Sequence, residues 1–145
     1  MKTDLQSVIR TKRAFGPAAM TTVAGLAGKI IDRKGYAGVE FVIGYGSVTA
    51  TNATITPVLK EGDATGSMTS VADADLLGTE ALAALPAQAT ARTSGTGKFV
   101  TTRIGYKGNK RYVQLSIASS TVTAATIVSG TCILHNPTAA PTTNP

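Results

Sequence analysis

The stretch RYVQLSI, residues 111–117, alternates polar and apolar side chains along its whole length. In a β-strand, successive side chains point to opposite faces of the sheet. The two faces of this strand are Val113, Leu115 and Ile117 on one side and Tyr112, Gln114 and Ser116 on the other. One face is apolar and the other polar, which is typical of a strand that turns one face to a core.

Further strand patterns recur at short intervals, and turns containing Gly or Pro separate them. Pro57 has no N–H to donate, so we expect its strand to be an edge or to carry a bulge there. Gly130 marks a second position for a bulge. The turn at residues 107–110 predicts a β-hairpin between its two flanking strands. The predicted strands are Val8-Ile9, Thr22–Ile31, Val39–Ile43, Ala53–Leu59, Phe99–Tyr106, Arg111–Ile117 and Ala125–Leu134.

Seven or eight short strands indicate an all-β fold, a single-domain antiparallel β-sandwich. One short helix is predicted in a long loop, with Asp73 as its N-cap and Pro86 as its end. The predicted regions are a basic N-terminal arm and first strand (1–20), the sandwich (21–135) and an extended, Pro-rich C-terminal tail (136–145).

The composition restricts the class of protein. A chain of 145 residues can bury its own core as one domain. Its single cysteine, Cys132, cannot form an intramolecular disulfide, so nothing indicates an oxidising compartment. We find no secretory signal and no continuous apolar run that could cross a membrane. We therefore expect a soluble protein that is made in a cytoplasm.

The charges are distributed unevenly along the chain, whose formal net charge is +6. Residues 61–91 carry five acidic and no basic side chains, whereas residues 92–111 carry six basic and no acidic ones. Residues 112–145 contain no Asp, Glu, Lys or Arg. Such a stretch is unusual on a solvated surface. We therefore predict that faces formed by this last third contact other chains.

Each catalytic or nucleotide-binding motif that the sequence suggests is incomplete. SGTGK, residues 94–98, lacks the first Gly and the final Ser or Thr of a phosphate-binding loop, so we interpret it as a turn. His135 is the only histidine, and it lies beside Asn136-Pro137 where the chain leaves the last strand, which favours a surface or interface role. Cys132 lies in an apolar strand without a basic neighbour, which favours a small buried hydrophobe.

Metal and nucleic-acid sites are also not indicated. Zinc needs several Cys or His residues at ligand spacing. The acidic residues lack EF-hand spacing, which favours a solvated loop or salt bridges from it to the basic segment of another subunit. The basic segment places Lys98 and Arg103 on opposite faces and lacks an aromatic platform, so direct nucleic-acid contact is not expected. We predict no metal, no cofactor and no enzymatic activity.

Four segments of the chain carry a resemblance to a known family: IDRKGY (31–36), FVIG (41–44), LKEGD (59–63) and IGYKGNKRYV (104–113). In this order they resemble segments of small structural proteins of tailed bacteriophages, and the chain is similar to capsid decoration, or cement, proteins. The resemblance covers roughly residues 20–137. It implies a jelly-roll-like β-sandwich on the outer capsid surface that bridges major capsid subunits.

The function predicted on this basis is a virion structural protein that stabilises a phage head. Its expected partners are the major capsid protein and further copies of itself, as a dimer or trimer, without a membrane. Residues 1–13 and 136–145 are expected to be arms that order on binding, so deleting residues 1–13 should weaken capsid binding without unfolding the domain. The residues predicted to contact the capsid or another subunit are Lys2, Arg10, Lys12, Arg13, Arg103, Lys107, Lys110 and Arg111.

Two alternative functions remain open from the sequence. The first is a collar, head–tail or tail-surface component built on the same sandwich. The second is a carbohydrate- or host-surface-binding module, although such modules usually present exposed aromatic side chains and this chain has no Trp.

Overall fold

The computed structural model describes residues 4–20 and 25–139. These residues form two antiparallel sheets around one apolar core, which confirms the predicted all-β, jelly-roll-like sandwich. The strands are β1 (Ile9–Met20), β2 (Leu26–Asp32), β3 (Tyr36–Tyr45), β4 (Thr54–Ala64), β5 (Ser67–Ser70), β6 (Leu76–Leu77), β7 (Thr101–Tyr106), β8 (Tyr112–Ser120) and β9 (Thr126–Pro137). No helix in this part of the chain is long and apolar enough to span a membrane.

Strands that are distant in sequence are neighbours in the sheets. The five-stranded sheet has the order β1-β9-β3-β7-β6, and the four-stranded sheet has the order β2-β8-β4-β5. The predicted hairpin is wrong, because β7 and β8 belong to different sheets. A turn sequence fixes the reversal of the chain but not the pairing of the two strands. Here the buried faces of β7 and β8 meet across the core instead.

The core contains the apolar face predicted for residues 111–117. Val113 and Leu115 are fully buried, and Ile117 is nearly so. Cys132 is also fully buried, as predicted for a small hydrophobe. Burial raises the pKa of its thiol to about 12, so the thiol stays protonated and unreactive.

The helical segment is shorter than predicted. Residues 73–75 form a single 3₁₀ turn, and β6 follows it directly. Gly78 adopts a φ of +88°, which is not a right-handed helical conformation, so no helix runs through this residue. Helix α1 (Glu80–Ala83) is then capped by Thr79, whose Oγ1 accepts the Leu82 N–H at 3.1 Å. The N-cap is therefore Thr79 and not Asp73.

The free edge of β4 is closed by the loop that contains α1, because β5 pairs only with the C-terminal half of β4. Further along the edge, the Ile55 N–H donates to the Leu85 carbonyl at 3.0 Å. Pro57 has no N–H, in agreement with its predicted place at an edge. The Leu59 N–H donates to Glu80 Oε1, also at 3.0 Å. A strand from another chain therefore finds few unpaired donors here.

The predicted irregularity at Gly130 lies on the partner strand. Phe15 of β1 is opposite Gly130, and the register of β1 shifts on both sides of Phe15. The Phe15 ring covers Gly130 so closely that a Cβ there would lie 2.8 Å from ring atoms. β9 continues to Pro137, so the first two residues of the predicted tail belong to this strand. Residues 140–145 lie outside the described residues.

Candidate interaction surfaces

Two turns and the end of β9 meet at one end of the sandwich. The Arg33 N–H donates to the Arg111 carbonyl at 3.1 Å, which joins the β2–β3 turn to the β7–β8 turn. The Thr138 N–H donates to the Gly35 carbonyl at 2.9 Å, which adds the end of β9. β1 also begins here, since Ile9 pairs with His135. We call this region the basic end, defined by Arg33, Lys34, Lys107, Lys110 and Arg111.

Arg33 lies at the centre of the basic end. Its guanidinium lies 5.2 Å from the centroid of the Tyr106 ring. A guanidinium carries five N–H donors in a fixed plane, so it can bind several carbonyls at once. Arg33 uses this property to hold the two turns together. Its acceptors, at 2.5–3.3 Å, are the backbone carbonyls of Tyr36, Ala37, Gly108 and Lys110.

Tyr106 holds the β7–β8 turn from the buried side. Its hydroxyl donates to the Glu61 carboxylate and accepts the Lys110 N–H at 3.0 Å. Burial, and after it the hydrogen bond to Glu61, raises the pKa of Tyr106. The hydroxyl therefore stays protonated and remains a donor. A Cβ at Gly108 would lie 2.6 Å from the ring Cζ, so only glycine fits there. These contacts therefore hold the backbone of the turn in place.

Two cations of the basic end already have partners in their own chain. Arg111 binds Asp32 with two hydrogen bonds of 2.7 and 3.1 Å, and Lys110 binds Asp63 at 2.5 Å. The acidic segment (61–91) and the basic segment (92–111) therefore pair within the chain at Asp63 and Lys110, whereas the partner of Arg111 lies at the end of β2. Among the described residues, no carboxylate lies within 4.0 Å of the ammonium groups of Lys34 or Lys107. These two exposed lysines are the cations that remain for a partner.

The Arg111–Asp32 pair predicts a specific pH dependence. The bond from Arg111 lowers the pKa of Asp32 from 3.8 to about 2, and the Lys34 N–H adds to this effect. The stabilisation is complete above about pH 4, where Asp32 is ionised in both the folded and the unfolded chain. It is lost as the pH falls through about 2, where Asp32 becomes protonated in the folded chain as well. Because both side chains are more than a third exposed, solvent screens the pair and its contribution to stability is small.

The test is a carboxyl NMR titration of the intact chain and of its Arg111→Gln variant. We expect the pKa of Asp32 to return toward its ordinary value in the variant. Lys110→Gln, which removes the neighbouring ion pair, is the matched control and should leave Asp32 unchanged. An unshifted Asp32 in Arg111→Gln would contradict the assignment of the bond as the cause.

The outer face of the five-stranded sheet is broad and carries few charges. Its charged or titratable members are Arg13, Glu40, Arg103 and His135, as the register of the strands shows. Arg103 is 81% exposed and lies 3.8 Å from Glu40, whose pKa is raised mainly by desolvation. The uncharged remainder of this face includes Ile9, Thr11, Val42, Gly44, Thr101, Ile127, Ser129, Thr131 and Ile133.

The structure corrects the prediction that residues 1–13 form an arm, because β1 begins at Ile9. Arg10 and Lys12 lie opposite the buried residues Leu134 and Cys132, so they share the inner face of the sheet. The Lys12 ammonium donates to the Asp32 carbonyl at 3.0 Å. Charged residues that point inward at an edge strand hinder pairing with another chain. Arg10 and Lys12 are therefore edge residues and not an exposed arm.

The structure thus separates the predicted contact residues into three groups. Lys107, Lys110 and Arg111 lie together at the basic end, Arg13 and Arg103 lie on the outer face, and Arg10 and Lys12 lie at the inner edge. Lys2 lies outside the described residues.

Arg33 and Lys34 were missed as site residues by sequence reasoning. The available signal was their position in the turn before Gly35, which has a φ of +87°. A basic pair in such a tight turn must be presented at the end of the sheet.

A groove crosses the opposite end of the five-stranded sheet. Its volume is about 630 Å³, and no Asp, Glu, Lys, Arg or His lines it. Phe99 and Ile127 are prominent in it because they are 66% and 48% exposed. The sandwich therefore has a basic end and, at its other end, an uncharged groove. The lining residues are Pro17, Gly44, Tyr45, Gly46, Ser47, Thr49, Phe99, Val100, Thr101, Ala125, Ile127 and Ser129.

Comparisons with known proteins establish the fold. No protein-family model and no curated protein matches the chain. The PBSX exported protein XepA has a TM-score of 0.51 at 14% identity, over 92% of this chain and 39% of that one. A chain of infectious bursal disease virus, Gx strain, has a TM-score of 0.51 at 10% identity, over 92% of this chain and 33% of that one. The chain thus spans less than half the length of either protein.

The CBM22-1–GH10 modules of a Clostridium thermocellum xylanase have a TM-score of 0.49 at 12% identity, over 97% of this chain and 27% of that one. The structural neighbours thus include a viral chain and a xylanase with a carbohydrate-binding module. At such identities, the two likenesses with a TM-score of 0.51 establish the β-sandwich and not the function.

Proposed function

We propose that this chain is a virion structural protein that decorates the outer surface of a phage capsid and stabilises it by bridging major capsid subunits. The observation that carries the proposal is the outer face of the five-stranded sheet. This face is wide, largely uncharged and made of small or β-branched side chains. Burying such a face costs little desolvation and stabilises a lattice by about 25 cal/mol per Å² of apolar surface in each copy.

The basic end supports the same proposal. Lys34 and Lys107 project from turns that Arg33 and Tyr106 hold rigid. Exposed cations on a well-held backbone steer a protein toward an acidic surface and orient it there. In this proposal the basic end contacts acidic residues of the major capsid protein, and the chain assembles as a dimer or trimer on the particle. It is made in the host cytoplasm and resides on the outer capsid surface.

Two further observations agree with a virion role. The segments that resemble capsid decoration proteins lie at structurally important positions, since IDRKGY and IGYKGNKRYV form the two turns of the basic end. The fold also occurs in a chain of infectious bursal disease virus. A fold that unrelated functions share cannot decide the matter by itself, so the proposal depends on the surfaces.

The deciding experiment is the copy number and location of the protein in purified virions, by quantitative gel electrophoresis and cryo-EM. We expect hundreds of copies spread over the head. A few copies at one vertex or on the tail would contradict decoration and favour a collar or tail component. Absence from the particle would also contradict it and favour a host-surface-binding module.

Charge reversal at the basic end tests the contact itself. We expect the double variant Lys34→Glu/Lys107→Glu to bind undecorated particles at least about tenfold more weakly than the wild type. Lys29→Glu, an exposed lysine on β2, makes the same kind of charge change outside the basic end and serves as the control. Equal weakening by the control would show that only the net charge matters.

A further inference from the structure

Phe99 at the uncharged groove combines two unfavourable features. Its aromatic side chain is 66% exposed, although large apolar side chains are usually covered. Its backbone has a φ of +57°, a left-handed conformation that bulky side chains rarely adopt. The Lys98 ammonium lies 4.3 Å from the centroid of the ring. A folded domain keeps such a residue where it contributes to binding, as strained residues concentrate at ligand sites.

The chemistry of the groove selects an uncharged, extended occupant. Phe99, Pro17 and Ala125 line it, together with the hydroxyl-bearing residues Ser129 and Thr101. The groove crosses β1, β9, β3 and β7, so it can accept a chain that runs across the strands. Aromatic-lined grooves of this kind bind Pro-rich segments, whose extended conformation is already favoured before binding.

The chain itself contains such a segment. Residues 139–145, AAPTTNP, contain two prolines and no charged side chain. This segment therefore matches the groove, because neither has a charged side chain and both contain apolar residues. We call residues 139–145 the tail segment.

The tail segment follows the end of β9 that lies at the opposite end of the sandwich from the groove of the same copy. Ser129 lines the groove, and β9 runs from there to Pro137, a distance of about 26 Å. Residues 138–145, fully extended, span at most about 29 Å. A tail segment that turned back along its own sheet would use nearly all this length to arrive and would leave almost nothing to fill the groove.

We propose that the uncharged groove binds the tail segment of a second copy of this chain. The contact joins the groove end of one copy to the basic end of the next. Such a contact gives a reciprocal pair, a closed ring or an open filament, depending on the rotation between copies. The proposal does not depend on the virion function, because it concerns two copies of this chain alone.

The direct test is binding of a synthetic peptide, TAAPTTNP (residues 138–145), to the protein with residues 139–145 deleted. We expect saturable binding with NMR shifts at Phe99, Ile127 and their neighbours. Phe99→Gly removes the ring and relieves the left-handed backbone, so it should lower the peptide affinity at least about tenfold without lowering Tm. Leu82→Ala is the matched control, since Leu82 is 77% exposed and lies outside the groove.

The full chain provides the second measurement. We expect sedimentation to show self-association that Phe99→Gly and the tail deletion both weaken and that Leu82→Ala does not. Absence of peptide binding, or self-association that ignores both changes, would overturn the proposal. Phe99-dependent binding of a neutral oligosaccharide such as xylohexaose, without peptide binding, would also overturn it and assign the groove to a carbohydrate.

Discussion

Replacing Arg33 with alanine is expected to lower the free energy of unfolding by about 3 kcal/mol, or Tm by roughly 10 °C. The guanidinium donates to four backbone carbonyls in two turns and packs on the Tyr106 ring. Removing it leaves those carbonyls in a partly buried place without their donor. Hydrogen bonds from a charged donor are the stronger kind, and several are lost together.

Two neighbouring variants separate the shape of the side chain from its charge. Arg33→Lys keeps the positive charge but lacks the planar set of donors, so it should lose most of the same stability. Lys34→Ala removes an adjacent, exposed cation and should leave the free energy of unfolding within about 0.5 kcal/mol of the wild type. Urea unfolding of the three variants measures the difference. A stable Arg33→Lys would mean that charge alone holds the two turns.

The fold class followed from local patterns, whereas the pairing of strands did not. Alternation in residues 111–117 correctly identified the buried face of β8, because side-chain period is a property of the strand itself. The predicted hairpin failed because both sheets offer an apolar face to the same core, and the turn can lead to either. Arg33, which is distant from the turn in sequence, joins it to the β2–β3 turn.

The candidate surfaces were predictable only in part for the same reason. A run of basic residues shows that charge is present, but not which partner each charge has. Lys110 and Arg111 find carboxylates in Asp63 and Asp32, which are distant along the chain. The uncharged groove is assembled from four strands and three loops, so no single segment of the sequence predicts it. The exposed position of Phe99 depends on its backbone conformation, and its sequence neighbours do not specify it.

Deleting residues 1–13 is expected to lower the free energy of unfolding by about 3–5 kcal/mol, whereas deleting residues 1–8 should change it by less than about 1 kcal/mol. The longer deletion removes Ile9–Arg13, which pair with residues 131–135 of β9. Their ladder hydrogen bonds are lost, together with the bond from Lys12 to the Asp32 carbonyl. The freed edge of β9 also exposes unpaired backbone groups that can pair with another molecule. The protein without residues 1–13 should therefore aggregate on heating.

Thermal unfolding, urea titration and light scattering of the two truncated proteins distinguish a separable arm from an edge strand. If residues 1–13 formed an arm, both deletions would fold equally well and differ only in binding. The register of β1 against β9 predicts instead a sharp break between them, at Ile9. A capsid-binding defect of the longer deletion would then report a damaged sandwich. Only the deletion of residues 1–8 tests whether the extreme N-terminus, which includes Lys2, contributes to decoration.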